Sequence, residues 1–367
     1  MGYVEQDLVR IARRENNTKR SYLVVNPLQG KHIPVSPKRA LKLFADLADT
    51  IRNAYAGERL LLIGFAETAT AIGAQAAVSL GTDYIQTTRE MLADAEYLYF
   101  SEEHSHAVEQ KLVKDDLDRA VGGGVNRIIF VEDEVTTGKT IQNIVEILKN
   151  EYPGKLRFSV ASLLNGMSKE RVEQYGRMGI SLHYLVKTDH GSYGERAKAF
   201  AGDGSYHACM RGEAVEPQRL RVKGRMDARR LVKAADYERA CAHLWACVRE
   251  YAGPVTGERI LVVGTEEFMY PAMYVGAGLE AAGNTVLCHA TTRSPIAVST
   301  EEDYPLHSRY ELASLYDGER RTFLYDIGAY DRVLVLTDAP EGEESGEQML
   351  MRALYTKNKH VTFVRWC

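Results

Sequence analysis

Residues 127–140 read RIIFVEDEVTTGKT. The apolar run 128–131 predicts a buried strand, two adjacent acids follow at its carboxyl end, and a Thr-rich loop with one glycine leads into a helix starting near Lys139. Backbone amides of such a loop, together with the positive end of the helix dipole, hold a phosphate dianion. Thr136, Thr137 and Thr140 add hydroxyl donors around Gly138 and Lys139, while Glu132 and Asp133 are acceptors placed for the hydroxyls of a sugar attached to that phosphate. Phosphate donors beside diol acceptors point to a ribose 5-phosphate. The ending GKT also invites a nucleotide-triphosphate P-loop, but the first glycine of GxxxxGK[ST] would fall on Asp133, whose charge opposes phosphate. The bland alternative is an ordinary crossover whose acids merely cap the helix; two acids and three threonines in one loop weigh against it.

Working outward, Ser36 as N-cap and Pro37 in the first turn, with Ala40, Leu41, Leu43, Phe44, Leu47 and Ile51 at helical spacing, predict a helix over 36–55. RLLLIG at 59–64 and the Ala-rich stretch to Leu80 read as strand then helix, and the alternation returns at 127–150 and 156–177. Continuous apolar strands alternating with helices predict an α/β fold with a parallel sheet flanked by helices. Between 187 and 225 the pattern dissolves into Gly, Asp, Ser, Arg and Lys, which reads as linker or as an arm with a solvated basic face.

The chain also repeats itself. GERLLLIG at 57–64 returns as GERILVVG at 257–264, QTTRE at 86–90 as ATTRS at 290–294, and NRIIFVED at 126–133 as DRVLVLTD at 331–338. Three collinear matches with slowly drifting offsets favour duplication of an α/β unit, and HVTFVRWC at 360–367 then corresponds to RFSVASLL at 157–164.

Composition bounds the function. The 367 residues are enough for two domains, and 46 basic against 50 acidic side chains disfavour a dedicated nucleic-acid binder. The 5 cysteines form no CxxC pair, which disfavours a disulfide framework or thiolate zinc site and fits a reducing cytosol. The amino terminus lacks the apolar core of a secretion signal, Gln6 stands where a myristoylation motif needs Ser or Thr, and no run of about 18 apolar residues occurs. No membrane association is expected.

VEDEVTTGKT resembles the phosphoribosyl pyrophosphate (PRPP) signature of type I phosphoribosyltransferases, departing from it at Glu134, where the family usually carries an apolar residue. Thr136 stands where purine-salvage members carry an Asp that assists the base, so the site is closer to the orotate type and a 6-oxopurine is not the expected acceptor. The resemblance implies Glu132 and Asp133 as the catalytic acids near the ribose, residues 136–140 as the 5-phosphate loop, and Mg2+ held chiefly by PRPP. It implies a pyrophosphate loop at Phe65, Ala66, Glu67 and Thr68, Glu67 being also readable as an ordinary acid at a helix start. A mobile loop at 101–115 would offer His104, His106, Lys111 or Lys114 to the leaving group. A hood over 24–37 would read the base through Asn26, Gln29, Lys31 and His32, with Arg89 as a further contact or a structural ion pair.

In the second copy Thr337 and Asp338 replace the acidic pair, and the loop APEGEESGEQ crowds Glu341, Glu343, Glu344 and Glu347 where phosphate would sit. TTRSPI at 291–296 resembles the TRSP domain found fused to orotate-phosphoribosyltransferase-like domains in the biosynthetic part of bacterial tellurium-resistance gene clusters. The resemblance implies a phosphoribosyltransferase domain over 1–190, a linker or arm over 191–235, and over 236–367 a TRSP domain that is a degenerate repeat of the first. Arg293, Ser294 and His307 are candidates for a second-domain pocket. The expectation is a PRPP-dependent transferase making a nucleoside-like metabolite, a homodimer with biosynthetic partners. Its rivals are a non-catalytic PRPP sensor, for which the sequence has neither a winged helix nor a broad basic face, and a scaffold of a biosynthetic complex.

Overall fold

The computed structural model describes residues 2–15, 20–100, 110–208, 212–342 and 344–367. Its elements begin with α1 (Glu5–Leu8), β1 (Arg10–Arg13), β2 (Tyr22–Val25) and α2 (Pro37–Asp49). β3 (Leu60–Gly64), α3 (Thr70–Leu80) and β4 (Asp83–Gln86) follow, then β5 (Tyr97–Phe100), β6 (Gln110–Val113) and α4 (Lys114–Gly122). Next come β7 (Arg127–Val135), α5 (Lys139–Glu151), β8 (Arg157–Asn165), α6 (Lys169–Arg177) and β9 (Ser181–Lys187). Within the segment expected as linker or arm lie α7 (Tyr193–Ala199), β10 (Ser205–His207) and β11 (Gln218–Val222), followed by β12 (Val232–Lys233) and α8 (Ala234–Ala252). The chain ends with β13 (Arg259–Gly264), α9 (Tyr270–Ala281), β14 (Thr285–Ala290), β15 (Ser308–Ala313), β16 (Arg321–Tyr325), β17 (Arg332–Thr337), α10 (Glu344–Tyr355) and β18 (Val361–Trp366).

Two compact units result, one of Met1–Glu5, Leu41–Asp189 and Met226–Arg239, the other of Gln6–Ala40, His190–Arg225 and Ala240–Cys367. The first unit is built on a sheet in the order β12-β4-β3-β7-β8-β9, parallel except for β12. Its middle strands are buried along nearly their whole length, as parallel strands covered on both faces must be. Helices α3, α5 and α6 make the crossovers between parallel neighbours. Phe130 stacks on Phe158 across β7 and β8, with ring centroids 6.1 Å apart.

The second unit has its own parallel sheet, β11-β18-β17-β13-β14. Read from the strand after each first crossover, the order is the same in both: β4-β3-β7-β8 and then β9, β14-β13-β17-β18 and then β11. The fifth strand, however, follows the other four in the first unit and precedes them in the second. The likeness reaches single bonds. Arg127 grips Glu58 through Nε and an η nitrogen at 2.7 and 3.1 Å, and Arg332 grips Glu258 likewise at 3.0 and 3.3 Å. The amide of Arg59 donates to Asn126 Oδ1 at 3.0 Å, and that of Arg259 to Asp331 Oδ2 at 2.7 Å.

Two sequence expectations gain detail. Ser36 does cap α2, its Oγ accepting from the Arg39 amide at 3.3 Å. The strand expected to end before the acids instead runs on through them to Val135, because β8 extends far enough to pair Glu132 with Ser162 and Glu134 with Leu164.

Candidate functional site

At the carboxyl end of β7 the chain turns through Thr136 and Thr137 into α5, whose N-cap is Gly138 with φ of 72°. A residue with a Cβ would be strained in this left-handed conformation and would also place that atom 2.3 Å from Tyr175 Oη. Tyr175, fully buried on α6, donates its hydroxyl to the Gly138 carbonyl at 2.5 Å, and the same carbonyl accepts from the Gln142 amide at 2.9 Å. The loop is thereby fixed from beneath. Above it Thr136, Thr137 and Thr140 are half-buried and Lys139 is exposed, and the Thr137 hydroxyl accepts from the Lys139 amide at 3.3 Å. Loss of water around the Tyr175 phenol, with the Glu132 charge nearby, pushes its pKa up, so it stays a donor.

The second loop leaves β3. Phe65, Ala66 and Glu67 are buried and Thr68 is half-buried, just before α3 starts at Thr70. The Phe65 amide extends the ladder to Val131 O at 3.1 Å, and the Thr70 hydroxyl donates to Glu67 O at 3.3 Å. The bond that joins the two loops is Thr68 Oγ1 to Asp133 Oδ1, 2.9 Å. Burial pushes the Asp133 carboxyl above the usual aspartate range and the Glu134 charge adds to this, while the Thr68 hydroxyl opposes them.

The loop after β3 is also held from its other side. The Ala66 amide donates to Thr87 Oγ1 at 2.8 Å, the Thr87 hydroxyl donates to Gln110 Oε1 at 2.6 Å, and Gln110 Nε2 donates to Ala66 O at 2.5 Å. Thr87 and Gln110 are both fully buried. One residue on, Lys111 exchanges two 3.0 Å backbone bonds with Thr88, and its Nζ donates to Arg89 O at 3.0 Å. Arg89 is half-buried beside it. Lys114 starts α4 and pairs with Asp118 and Glu151 at 2.9 and 3.0 Å. His104 and His106 lie outside the described residues.

Thr87, Gln110 and Tyr175 were not singled out by sequence reasoning. Thr87 had a signal, since it stands in the repeated TTR; Gln110 lay undistinguished inside the expected mobile loop 101–115, although it begins a strand, and nothing in the sequence marked Tyr175.

Asn26, Gln29, Lys31 and His32 are buried in the second unit. Asn26 Oδ1 accepts from the Leu28 amide at 2.9 Å, and Lys31, with no exposed surface, donates to Glu266 O and Thr291 O at 2.8 and 3.0 Å. Glu266 stands in this unit's counterpart of the loop after β3, and its carboxylate accepts from Arg293 at 2.7 Å, Arg320 at 3.1 Å and Ser314 at 2.5 Å. Asp338, counterpart of Asp133, pairs with Arg225 at 3.0 Å and accepts from the Tyr316 hydroxyl at 2.7 Å. Glu341 pairs with Arg221, and Glu347 with Arg219 at 2.6 Å and Arg365 at 3.3 Å. These arginines from β11 and β18 balance the acidic loop around a cavity of about 490 Å³. The structure places the three second-domain candidates in different networks: Arg293 binds Glu266, Ser294 O accepts from Tyr325 Oη at 2.6 Å, and exposed His307 bonds Ser299 O at 2.9 Å.

Among the described residues no group of three or more His, Cys, Asp or Glu side chains is arranged to hold a metal ion, and no helix is long and apolar enough to cross a membrane.

Residues 8–192 match a family model described as phosphoribosyl transferase, and residues 227–354 one described as the TRSP domain C-terminal to it. No curated protein matches the chain. Similar solved structures include adenine phosphoribosyltransferase from Rhodothermus marinus, 11% identical over 50% of this chain and 96% of that one, with a TM-score of 0.36. The Giardia lamblia enzyme complexed with 9-deazaadenine is 13% identical over 50% and 96%, with a TM-score of 0.35. That from Thermoanaerobacter pseudethanolicus is 17% identical over 50% and 97%, also with a TM-score of 0.35.

Proposed function

The chain belongs to the phosphoribosyltransferase family, and on that premise we propose that its first unit transfers the 5-phosphoribosyl group of PRPP to a nucleobase-like acceptor, releasing pyrophosphate. The observation that carries this reading is the Thr68 to Asp133 bond, because it sets the loop for the leaving group against the acid at the sugar. A nitrogen of the acceptor attacks C1 of the ribose as the bond from C1 to the pyrophosphate oxygen breaks, and pyrophosphate departs with the electron pair. Residues 136–140 hold the 5-phosphate, and Glu132 and Asp133 accept from the ribose hydroxyls and lie near the positive charge that grows on the ring.

Glu132 and Asp133 would offer carboxylate oxygens to a magnesium ion carried chiefly by PRPP, and the ion would supply charge neutralisation to the leaving group. In the second unit Asp338 and the loop residue Glu266 are both engaged in internal ion pairs, which favours a supporting role over a second PRPP site. Arg89 is the candidate acceptor contact within the first unit. Thr136 in place of a catalytic Asp argues against a 6-oxopurine acceptor. The TRSP match over 227–354 supports placing the reaction in biosynthesis of a nucleoside-like metabolite, of the kind linked to tellurium resistance.

Calorimetric titration with PRPP and Mg2+ tests the reading. The wild type is expected to bind, the Glu132→Ala/Asp133→Ala variant to lose most of that affinity, and unchanged binding in the variant refutes the assignment. Pyrophosphate release on a panel of bases then separates a transferase from a sensor, which binds without turnover.

A further inference from the structure

The two copies share a scaffold contact and differ in one residue built onto it. In the first copy the Thr87 amide donates to Gly64 O at 2.9 Å, and the Thr87 hydroxyl accepts from the Ala66 amide at 2.8 Å. In the second, the Thr291 amide donates to Gly264 O at 3.0 Å, and its hydroxyl accepts from the Glu266 amide at 3.0 Å. The next residue bridges to an antiparallel strand pair in both, Thr88 to Lys111 and Thr292 to Phe323. That bridge makes Gln110 and Thr322 counterparts. Thr322 turns its hydroxyl to Ala313 O at 3.4 Å, within its own hairpin, whereas Gln110 reaches out of β6 to the Ala66 carbonyl at 2.5 Å.

Resting on the reading of the first unit as a phosphoribosyltransferase, we propose that Gln110 is a positioning residue for the pyrophosphate-receiving loop. Gln110 and Thr87 together engage both polar groups of Ala66, so the peptide unit that carries the Glu67 amide has one direction before any ligand arrives. A buried side-chain amide with both ends bonded has little freedom, and loss of either bond deprives a buried polar group, the Thr87 hydroxyl or the Ala66 carbonyl, of that partner. Because Gln110 begins β6, the bond also links the paired strands β5 and β6 to the loop. The copy that has lost the acidic pair lacks this device, which ties it to ligand binding and not to the shared fold.

Full-length wild type, Gln110→Met, Thr87→Val and Thr87→Ser are titrated separately with PRPP, pyrophosphate and ribose 5-phosphate in the presence of Mg2+. Gln110→Met and Thr87→Val are expected to weaken PRPP and pyrophosphate about tenfold, the weight of one good hydrogen bond, and to leave ribose 5-phosphate within about twofold. Thr87→Ser, which keeps the hydroxyl, should match the wild type. Unchanged pyrophosphate affinity in Gln110→Met overturns the proposal and leaves the transferase reading intact. Loss of ribose 5-phosphate in equal proportion also overturns it, since the network would then only support the fold. Should Gln110→Met fail to fold, the two Thr87 variants decide in the same way, and equal pyrophosphate affinity in both refutes the role. A wild type that binds none of the three ligands removes the transferase reading itself, and the proposal with it.

Discussion

Replacing Gly138 by alanine isolates the device that fixes the phosphate loop, and Gly81→Ala is its internal control. Both glycines adopt left-handed conformations, with φ of 72° and 67°, so both substitutions carry the same backbone cost of about 1–2 kcal/mol. At Gly81 a Cβ meets nothing within 4 Å, whereas at Gly138 it would lie 2.3 Å from Tyr175 Oη and 2.8 Å from the ring carbon that bears it. The phenol must therefore withdraw, losing its bond to Gly138 O at a cost of about 1 kcal/mol, and shifting a fully buried ring adds about 1–3 kcal/mol. Gly138→Ala should then be less stable than Gly81→Ala by about 2–4 kcal/mol in urea denaturation, and each kcal/mol should appear as roughly 2–4 °C in Tm. Ribose 5-phosphate affinity should fall in the Gly138 variant alone. Equal destabilisation of the two variants would refute the claim that Tyr175 braces the loop.

Two further outcomes follow from the charges. Asp133 has its pKa raised in the folded chain, so that chain holds the proton more tightly than the unfolded one; stability from this group is greatest below the ordinary aspartate value and falls as pH rises through the raised one. Asp133→Asn should accordingly melt higher than wild type at pH 7, with a difference that shrinks on acidification, while PRPP affinity drops; a lower Tm at pH 7 would show that the ionised carboxylate is not a burden. In the second unit, Glu266→Gln should cost about 3–5 kcal/mol, because Arg293 and Arg320 would face a neutral amide in the interior. Thermal unfolding of that variant within about 1 kcal/mol of wild type would mean that the arginines have other adequate partners.

What could be read from the sequence was whatever repeats or alternates locally. GER and the paired NR and DR segments already contained Glu58, Glu258, Arg127 and Arg332, so matching strings became matching ion pairs. The loop 136–140 announced itself because its strand, acids and threonines are contiguous. Gln110 and Ala66 are 44 positions apart and Tyr175 and Gly138 are 37 apart, and a contact between distant residues leaves no period in either segment. β11 escaped notice for another reason: an outer strand with Arg219 and Arg221 on its exposed positions lacks the continuous apolar run of the inner strands. Lys31 was expected to help read the base, and its ammonium instead donates to carbonyls of residues more than 230 positions away.

The fifth strand of the second sheet bears on how this chain can be divided. β11 covers the outer edge of β18 with a full register from Gln218 to Val222, and it precedes the rest of its sheet in the chain. A fragment begun after that strand would present β18 as an uncapped row of amides and carbonyls bordered by Phe363 and Trp366, a template for pairing between molecules. Soluble behaviour of the TRSP half in isolation therefore depends on including the stretch upstream of Met226, and the residues between the two motifs act as a guard against aggregation.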